Sequence, residues 1–143
     1  ADDDDLLAAE LLRATADLPR STLVLAAFSR AARVAASIVD QVAPRAFLAF
    51  GYPFHTRGAP NDRPGWTALQ PVNTPTLVVQ GERDAHGSRP ELRGYPPLPS
   101  SMSVHWVPDT NHRFVPRDAS ALDPALNDAV QACAAFVQGA PDA

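Results

Sequence analysis

An apolar segment that runs into a serine and continues as an alanine-rich helix constrains the fold of this chain more than any other feature. Residues 23–27 read Leu-Val-Leu-Ala-Ala, a short continuous apolar run typical of a strand buried on both faces of a parallel sheet. Ser29 follows, and residues 30–40 are apolar nearly all round, which predicts a buried helix. The sequence therefore predicts a strand, a sharp turn at Ser29 and a helix that lies close to the sheet.

Ser29 itself has two interpretations. A serine at the head of a helix is commonly an N-cap, whose hydroxyl accepts a hydrogen bond from the first helical turn. Alternatively, the turn is a nucleophile elbow, a strained strand-to-helix turn that lifts the hydroxyl clear of the sheet and requires small residues two positions before and after the serine. Ala27 and Ala31 occupy those positions. The second interpretation predicts a positive φ, or another sparsely populated conformation, at Ser29.

The other apolar segments are separated by clusters of proline and glycine, which are typical of loops. They predict a helix over 3–18, strands over 46–50, 76–80 and 104–107, a long surface loop over 56–73, at most one short helix around Glu91 in 86–99, and a terminal helix from Asp123 to Gly139. Because the strands are continuously apolar, we predict an α/β fold, a mostly parallel sheet flanked by helices, in a single domain over 1–143. The apolar stripe of the first helix is expected to pack against a face of the sheet.

Composition excludes several classes of function. The net charge is −4 and the basic residues are scattered, so we expect no nucleic-acid partner and no membrane association. The single cysteine, Cys133, excludes a disulfide framework and fits a reducing compartment, so we expect a cytoplasmic protein. No pair of histidines has the spacing of a zinc motif, and we predict neither a metal nor a cofactor.

Three side chains that follow predicted strands have the chemistry of an acyl-transfer triad. Ser29 follows the first strand, Asp84 the third and His112 the fourth, and the carboxyl ends of parallel strands meet at one edge of a sheet. A serine hydroxyl becomes nucleophilic at neutral pH when an imidazole accepts its proton and a carboxylate orients that imidazole. We therefore predict that these three residues converge as nucleophile, orienting acid and base.

Each of these assignments has an alternative. An aspartate after a glycine is often only a turn residue, and Asp109 is an alternative acid, closer in sequence to His112 but poorly placed to reach it. The other histidines are less well placed than His112. His86 shares the loop of Asp84, His105 lies inside a strand, and His55 is expected to face the mouth of the site or solvent.

The chain order serine, aspartate, histidine is that of the α/β-hydrolase fold. Segments 27–33, 50–55, 75–84 and 111–114 resemble successive motifs of the small α/β-hydrolase group that contains dienelactone-hydrolase-like and KANL3/Tex30-like proteins. The most specific part of this resemblance is Gln80-Gly81-Glu82-Arg83-Asp84, followed by Gly51-Tyr52-Pro53. It implies a serine hydrolase acting on a carboxylic ester, thioester or lactone, with the backbone N–H of Arg30 in the oxyanion hole.

The sequence also departs from the pattern of that group. The group has Gly-x-Ser-x-Gly-Gly, a methionine after the serine and Gly-Asp before the histidine, where this chain has Ala27, Ala31-Ala32, Arg30 and Thr110-Asn111. The first strands of the fold and the loop with the second oxyanion donor precede, in the group, the segments that match here. Because of these departures an alternative function stays open, a non-catalytic hydrolase-fold scaffold or binding module.

Two further expectations concern the substrate and the partners. Tyr52, Phe54 and Trp66 lie in loops and are candidates to line an acyl pocket for a small ester-type substrate, although loop aromatics often fill local core instead. The strand over 23–28 is central in the group, and here one of its edges has no neighbour and carries neither charge nor proline. We therefore expect a fragment of a longer hydrolase-like chain, or self-association or a partner chain at the strand 23–28 edge. We also expect low activity of the isolated chain.

Overall fold

The computed structural model describes residues 2–139. These residues form α1 (Asp3–Thr15), β1 (Val24–Phe28), α2 (Arg30–Val42), β2 (Ala46–Phe50), α3 (Pro64–Leu69), β3 (Thr76–Gly81), α4 (Arg89–Leu92), β4 (Met102–Val107) and α5 (Leu122–Gly139), with 3-10 turns at Arg20–Thr22 and Ala119–Ala121. None of the helices within this range is long and apolar enough to cross a membrane.

The four strands form one sheet in the order β1-β2-β3-β4, and every neighbouring pair is parallel. In register, Ala27 lies opposite Ala49, Ala49 opposite Val78, and Val78 opposite Val104. The predicted α/β architecture is confirmed. Because the strands run in one direction, the loops that follow them all leave at the same edge of the sheet.

Different helices cover the two faces of the sheet. On one face, α2 packs its small residues Ala32, Ala35 and Val39 against a core that includes Phe47 and Val78. On the other face, α5 covers a second core made by Leu48, Leu77, Val79, Val107 and Ala125. Burial of a valine, leucine or phenylalanine side chain contributes about 1.5–3 kcal/mol, so both layers hold the sheet in place.

The first helix differs from the sequence expectation. α1 ends at Thr15, three residues early, because residues 16–18 form a turn ahead of Pro19. It packs against α2 and not against the sheet, none of its residues is buried, and Leu11 is its contact with the core. The charged group of Arg30, at the start of α2, pairs with Asp4 of α1 through Nε at 2.7 Å and a terminal nitrogen at 2.6 Å.

The long loop predicted over 56–73 contains a helix that the sequence reasoning missed. α3 begins at Pro64, a favoured first helical residue, and buries Trp66 and Leu69 in the α2-side core. A Cβ on Gly65 would lie 1.8 Å from the carbonyl oxygen of Pro53, so the glycine allows close packing of the helix where its presence had suggested a loop. The helix around Glu91 is confirmed as α4, and β4 begins two residues earlier than predicted.

The β1 strand lies at the edge of the sheet, and no strand among residues 2–139 pairs with its outer side. We propose that two copies associate through this edge, because Ala26 and Phe28 are exposed and the strand carries no charged side chain that would prevent pairing.

Sedimentation of the purified chain should show a dimer or larger species, and Ala26→Lys should shift the distribution of species towards monomer. Ser103→Lys, at an exposed position of the other edge strand β4, is the control. A monomeric wild-type chain, or the same response to both substitutions, would contradict the proposal.

Candidate active site

Ser29 lies in the turn between β1 and α2 with φ 56° and ψ −125°, a sparsely populated backbone conformation. Its N–H donates to the carbonyl oxygen of Phe50 at 2.8 Å, and its own carbonyl accepts from the N–H of Arg33 at 3.2 Å. The turn is therefore held by both β2 and α2. The Ser29 hydroxyl makes no capping hydrogen bond to α2, so the N-cap interpretation is wrong.

The hydroxyl contacts a histidine from the far end of the chain. Ser29 Oγ lies 2.9 Å from His112 Nε2, and His112 Nδ1 lies 2.8 Å from Asp84 Oδ2. Ser29 and His112 are 83 residues apart in sequence, and the structure brings them together at the carboxyl edge of the sheet. With a proton on Nδ1 held by the carboxylate of Asp84, Nε2 is free to accept the proton of Ser29.

Asp84 is fully buried, whereas the side chain of His112 is 22% exposed. A buried carboxylate requires hydrogen-bond donors on its oxygens. The second oxygen of Asp84, Oδ1, accepts the backbone N–H of His86 at 2.8 Å. Both oxygens are thus engaged, which fixes the plane of the carboxylate relative to the imidazole.

Two glycines let the loop of His112 approach the strand ends. A Cβ on Gly81, at the end of β3, would lie 2.4 Å from the backbone oxygen of Asn111. A Cβ on Gly51, which has φ 55°, would lie 3.2 Å from Cε1 of His112 and 2.8 Å from the ring of Phe28. A side chain at either position would push the imidazole away from Ser29.

Two rings pack around the imidazole, and the sequence reasoning assigned a site role to neither. The ring of Phe28 lies 5.2 Å from that of His112, and the ring of His86 lies 4.8 Å from it, measured between centroids. The signal was available, because Phe28 adjoins Ser29 and His86 is two residues from Asp84. His86 supports the site through its ring and its N–H, and His112 is the imidazole that reaches Ser29.

Gln80 is a third residue that supports the site. The sequence marked its motif but did not predict this role. Its buried amide accepts from the N–H of Tyr52 at 2.8 Å and donates to the carbonyls of Tyr52 and Gly87 at 3.0 and 3.2 Å. These bonds join the loop after β2 to the loop that carries Asp84. The amide therefore holds two walls of the site together.

The alternative acids and bases lie elsewhere. The Asp109 carboxylate contacts Arg83 at 3.2 Å and Arg117 at 3.5 Å. His105 Nε2 lies 2.6 Å from Asp128 of α5, away from the strand ends. Neither side chain contacts the Ser29, Asp84 and His112 group.

His55 was expected to face the mouth of the site or solvent; it is not open to solvent, but it borders the space beside Ser29. It is only 2% exposed, with Nδ1 2.8 Å from the carbonyl oxygen of Thr56 and Nε2 3.1 Å from a carboxylate oxygen of Glu91. Burial raises the pKa of Glu91, but hydrogen bonds from the N–H and hydroxyl of Ser88 and from His55 outweigh it, so the pKa lies below its usual value. The pair links α4 to the loop after β2.

Tyr52, Phe54 and Trp66 were predicted as candidates to line an acyl pocket. All three are buried in the α2-side core, Tyr52 and Phe54 from the loop after β2 and Trp66 from α3. The phenol of Tyr52 donates to the carbonyl of Gly65 at 2.8 Å, and burial raises the pKa of Tyr52 well above its ordinary value. Trp66 borders a separate cavity, where its ring lies 5.2 Å from that of Tyr95.

Two open cavities flank the contact between Ser29 and His112. The Ser29 cavity, of about 360 Å³, is lined by Ser29, Arg30, Arg33, Pro53, His55, Thr56, Arg57, Pro64 and His86. The His112 cavity, of about 400 Å³, is lined by Arg57, Arg83, Ala85, His86, Asn111, His112 and Arg113. Arg57 and His86 border both, so the Ser29–His112 contact lies between two spaces, each with the volume of a small molecule.

The backbone and the side chain of Arg30 have separate surroundings. It is the first residue of α2, where backbone N–H groups have no acceptor inside the helix. Its side chain pairs with Asp4 of α1.

Among residues 2–139, no group of three or more histidine, cysteine or acidic side chains is arranged to hold a metal ion.

Comparison with known proteins gives the family. A family model described as an alpha/beta hydrolase domain matches residues 1–138. The chain belongs to the α/β-hydrolase domain family. The order of its strands and the position of Ser29 at the end of β1 agree with this membership. A search of curated proteins found no match to this α/β-hydrolase domain.

Solved structures of α/β serine hydrolases share its fold. An α/β serine hydrolase homologue from Coxiella burnetii is 15% identical, with a TM-score of 0.61 over 99% of this chain and 62% of its own. The esterase domain of a Rhodothermus marinus protein is 14% identical, with a TM-score of 0.56 over 92% of this chain and 66% of its own. A serine hydrolase without a lid from Xanthomonas campestris is 25% identical, with a TM-score of 0.55 over 87% of this chain and 53% of its own. The α/β-hydrolase domain thus spans less than two thirds of the length of these three neighbours.

Proposed function

We propose that this α/β-hydrolase domain is a serine hydrolase that cleaves a carboxylic ester, thioester or lactone. The observation that carries the proposal is the 2.9 Å contact between Ser29 Oγ and His112 Nε2, made from a strained turn. The neighbour described as an esterase domain and the resemblance to dienelactone-hydrolase-like proteins support the substrate class.

In the proposed reaction, His112 Nε2 accepts the proton of Ser29 as Oγ attacks the substrate carbonyl. The imidazolium that forms is stabilised by the Asp84 carboxylate at Nδ1. His112 then gives its proton to the leaving oxygen or sulfur, and the carbonyl–leaving-group bond breaks. A water molecule, deprotonated by His112, attacks the acyl-serine, and the proton returns to Oγ as the acid is released.

The carbonyl oxygen becomes an anion during each attack and requires hydrogen-bond donors. The backbone N–H of Arg30 is the donor that we assign to it, because the residue after the nucleophile supplies one in this fold. Removing one donor of such a pair lowers kcat by about 10²–10³. A domain with this donor alone would therefore be slow.

A fluorophosphonate probe tests the proposal, because it reacts with an activated serine and not with an ordinary one. We expect labelling of the wild-type domain and none of Ser29→Ala. Ser21→Ala, which removes an exposed serine ahead of β1, should label like wild type. An unlabelled wild-type domain with an intact fold would favour the non-catalytic scaffold instead.

A further inference from the structure

The walls of the two cavities carry positive charge in a chain whose net charge is negative. The chain has sixteen acidic and twelve basic residues. Five arginines line the cavities, and among residues 2–139 no acidic side chain does: Arg30, Arg33, Arg57, Arg83 and Arg113. A cleft lined by charges of one sign attracts ligands of the other sign and raises their rate of association.

The arginines differ in whether a carboxylate already neutralises them. Arg30 pairs with Asp4, and Arg83 pairs with Asp109. For Arg33, Arg57 and Arg113, no carboxylate within residues 2–139 lies at ion-pair distance. Three guanidinium groups at the site thus have no carboxylate partner among the described residues and are available to bind an anionic ligand.

The chemistry of acyl transfer assigns the two cavities to the two halves of a substrate. His112 protonates the leaving group, so the leaving group lies on its side and the acyl group lies in the Ser29 cavity. That cavity combines the apolar rings of Pro53 and Pro64 with the guanidinium groups of Arg33 and Arg57. It suits a short methylene chain that ends in an anion, and the planar guanidinium fork matches a carboxylate.

Building on the proposed function, we propose that the acyl group of the substrate ends in a free carboxylate. The substrate class is then a monoester or monothioester of a short dicarboxylic acid. Arg57 binds the carboxylate together with Arg33, and the exposure of both side chains lets them close on it. A cavity of about 360 Å³ accommodates an acyl chain of this kind.

Two p-nitrophenyl esters of equal length test the charge. The adipate monoester ends in a carboxylate and the hexanoate ends in a methyl group. We expect a higher kcat/KM for the adipate monoester, and we expect Arg57→Gln to lower the adipate-to-hexanoate ratio about tenfold to a hundredfold, as the loss of a charge-assisted hydrogen bond does. Arg20→Gln removes the same charge just before β1, at the amino ends of the strands and away from the two cavities, and should keep the wild-type ratio.

A binding measurement separates this inference from the proposed function. Monomethyl adipate and methyl hexanoate are titrated into the Ser29→Ala protein by calorimetry, with and without Arg57→Gln. Tighter binding of monomethyl adipate that Arg57→Gln removes would support the inference even if wild type hydrolyses neither nitrophenyl ester. Equal binding of the two ligands, or a ratio of rates that Arg33→Gln and Arg57→Gln leave unchanged, would overturn it.

Discussion

Asp84→Asn is expected to lower kcat for a p-nitrophenyl ester by about 10⁴-fold without unfolding the domain. The asparagine amide oxygen can still accept the N–H of His86, which now bonds to Oδ1 of Asp84. The amide nitrogen would then face Nδ1 of His112 as a donor, so the imidazole would carry its proton on Nε2. In that tautomer Nε2 cannot accept the proton of Ser29, although every distance is unchanged.

Steady-state kinetics and thermal unfolding of the same preparations measure this result. Asp109→Asn is the matched control, because its carboxylate contacts Arg83 and Arg117 and not His112. The Asp109 variant should keep most of the wild-type kcat. An Asp84→Asn protein that retains a tenth or more of the wild-type kcat would contradict the role assigned to Asp84.

Gln80→Leu is expected to lower the free energy of unfolding by about 3 kcal/mol. Leucine fills nearly the same volume but leaves the N–H of Tyr52 and the carbonyl of Gly87 without the partners that Gln80 gives them. Each buried polar group that loses its hydrogen bond costs about 1–3 kcal/mol. The carbonyl of Tyr52 keeps a second partner, the N–H of Phe54, so the loss is limited to two groups.

Urea unfolding compares this variant with Gln41→Leu, which places the same substitution on the exposed side of α2. The control should unfold within about 0.5 kcal/mol of wild type, as surface substitutions usually do. The Gln80 variant should also react more slowly with the fluorophosphonate probe, because the loop of Asp84 loses the hydrogen bonds by which Gln80 joins it to the loop after β2. Equal unfolding free energies for the two variants would show that the buried amide is not a tie between the loops.

Local patterns predicted the sheet because its strands are short apolar runs between prolines and glycines. The bounds of β2 were predicted without error, since Pro44 and Gly51 stand close to its two ends. The surface against which α1 packs was not predicted. An apolar stripe reveals that a helix has a partner, but it does not say whether the partner is a sheet or another helix.

Some residues of the candidate site could also be predicted from the sequence, and others could not. Ser29, Asp84 and His112 were predictable because each follows a strand, and parallel strands end at one edge. The inward turn of Tyr52 and Phe54 was not, because a loop has no period that separates buried positions from exposed ones. The arginines without a carboxylate partner could not be assigned to the site from the sequence for a further reason. They are far apart in the chain, and only the loops of the folded domain bring them to the same two cavities.

The sheet order β1-β2-β3-β4 has a consequence for synthesis on the ribosome. Each new strand adds beside the one before it, so the fold can grow in the order in which the chain emerges. Ser29 leaves the ribosome 83 residues before the imidazole that would activate it. A nascent or truncated chain would therefore carry an ordinary alcohol at this position, and its reactivity would begin only when the last loop docks.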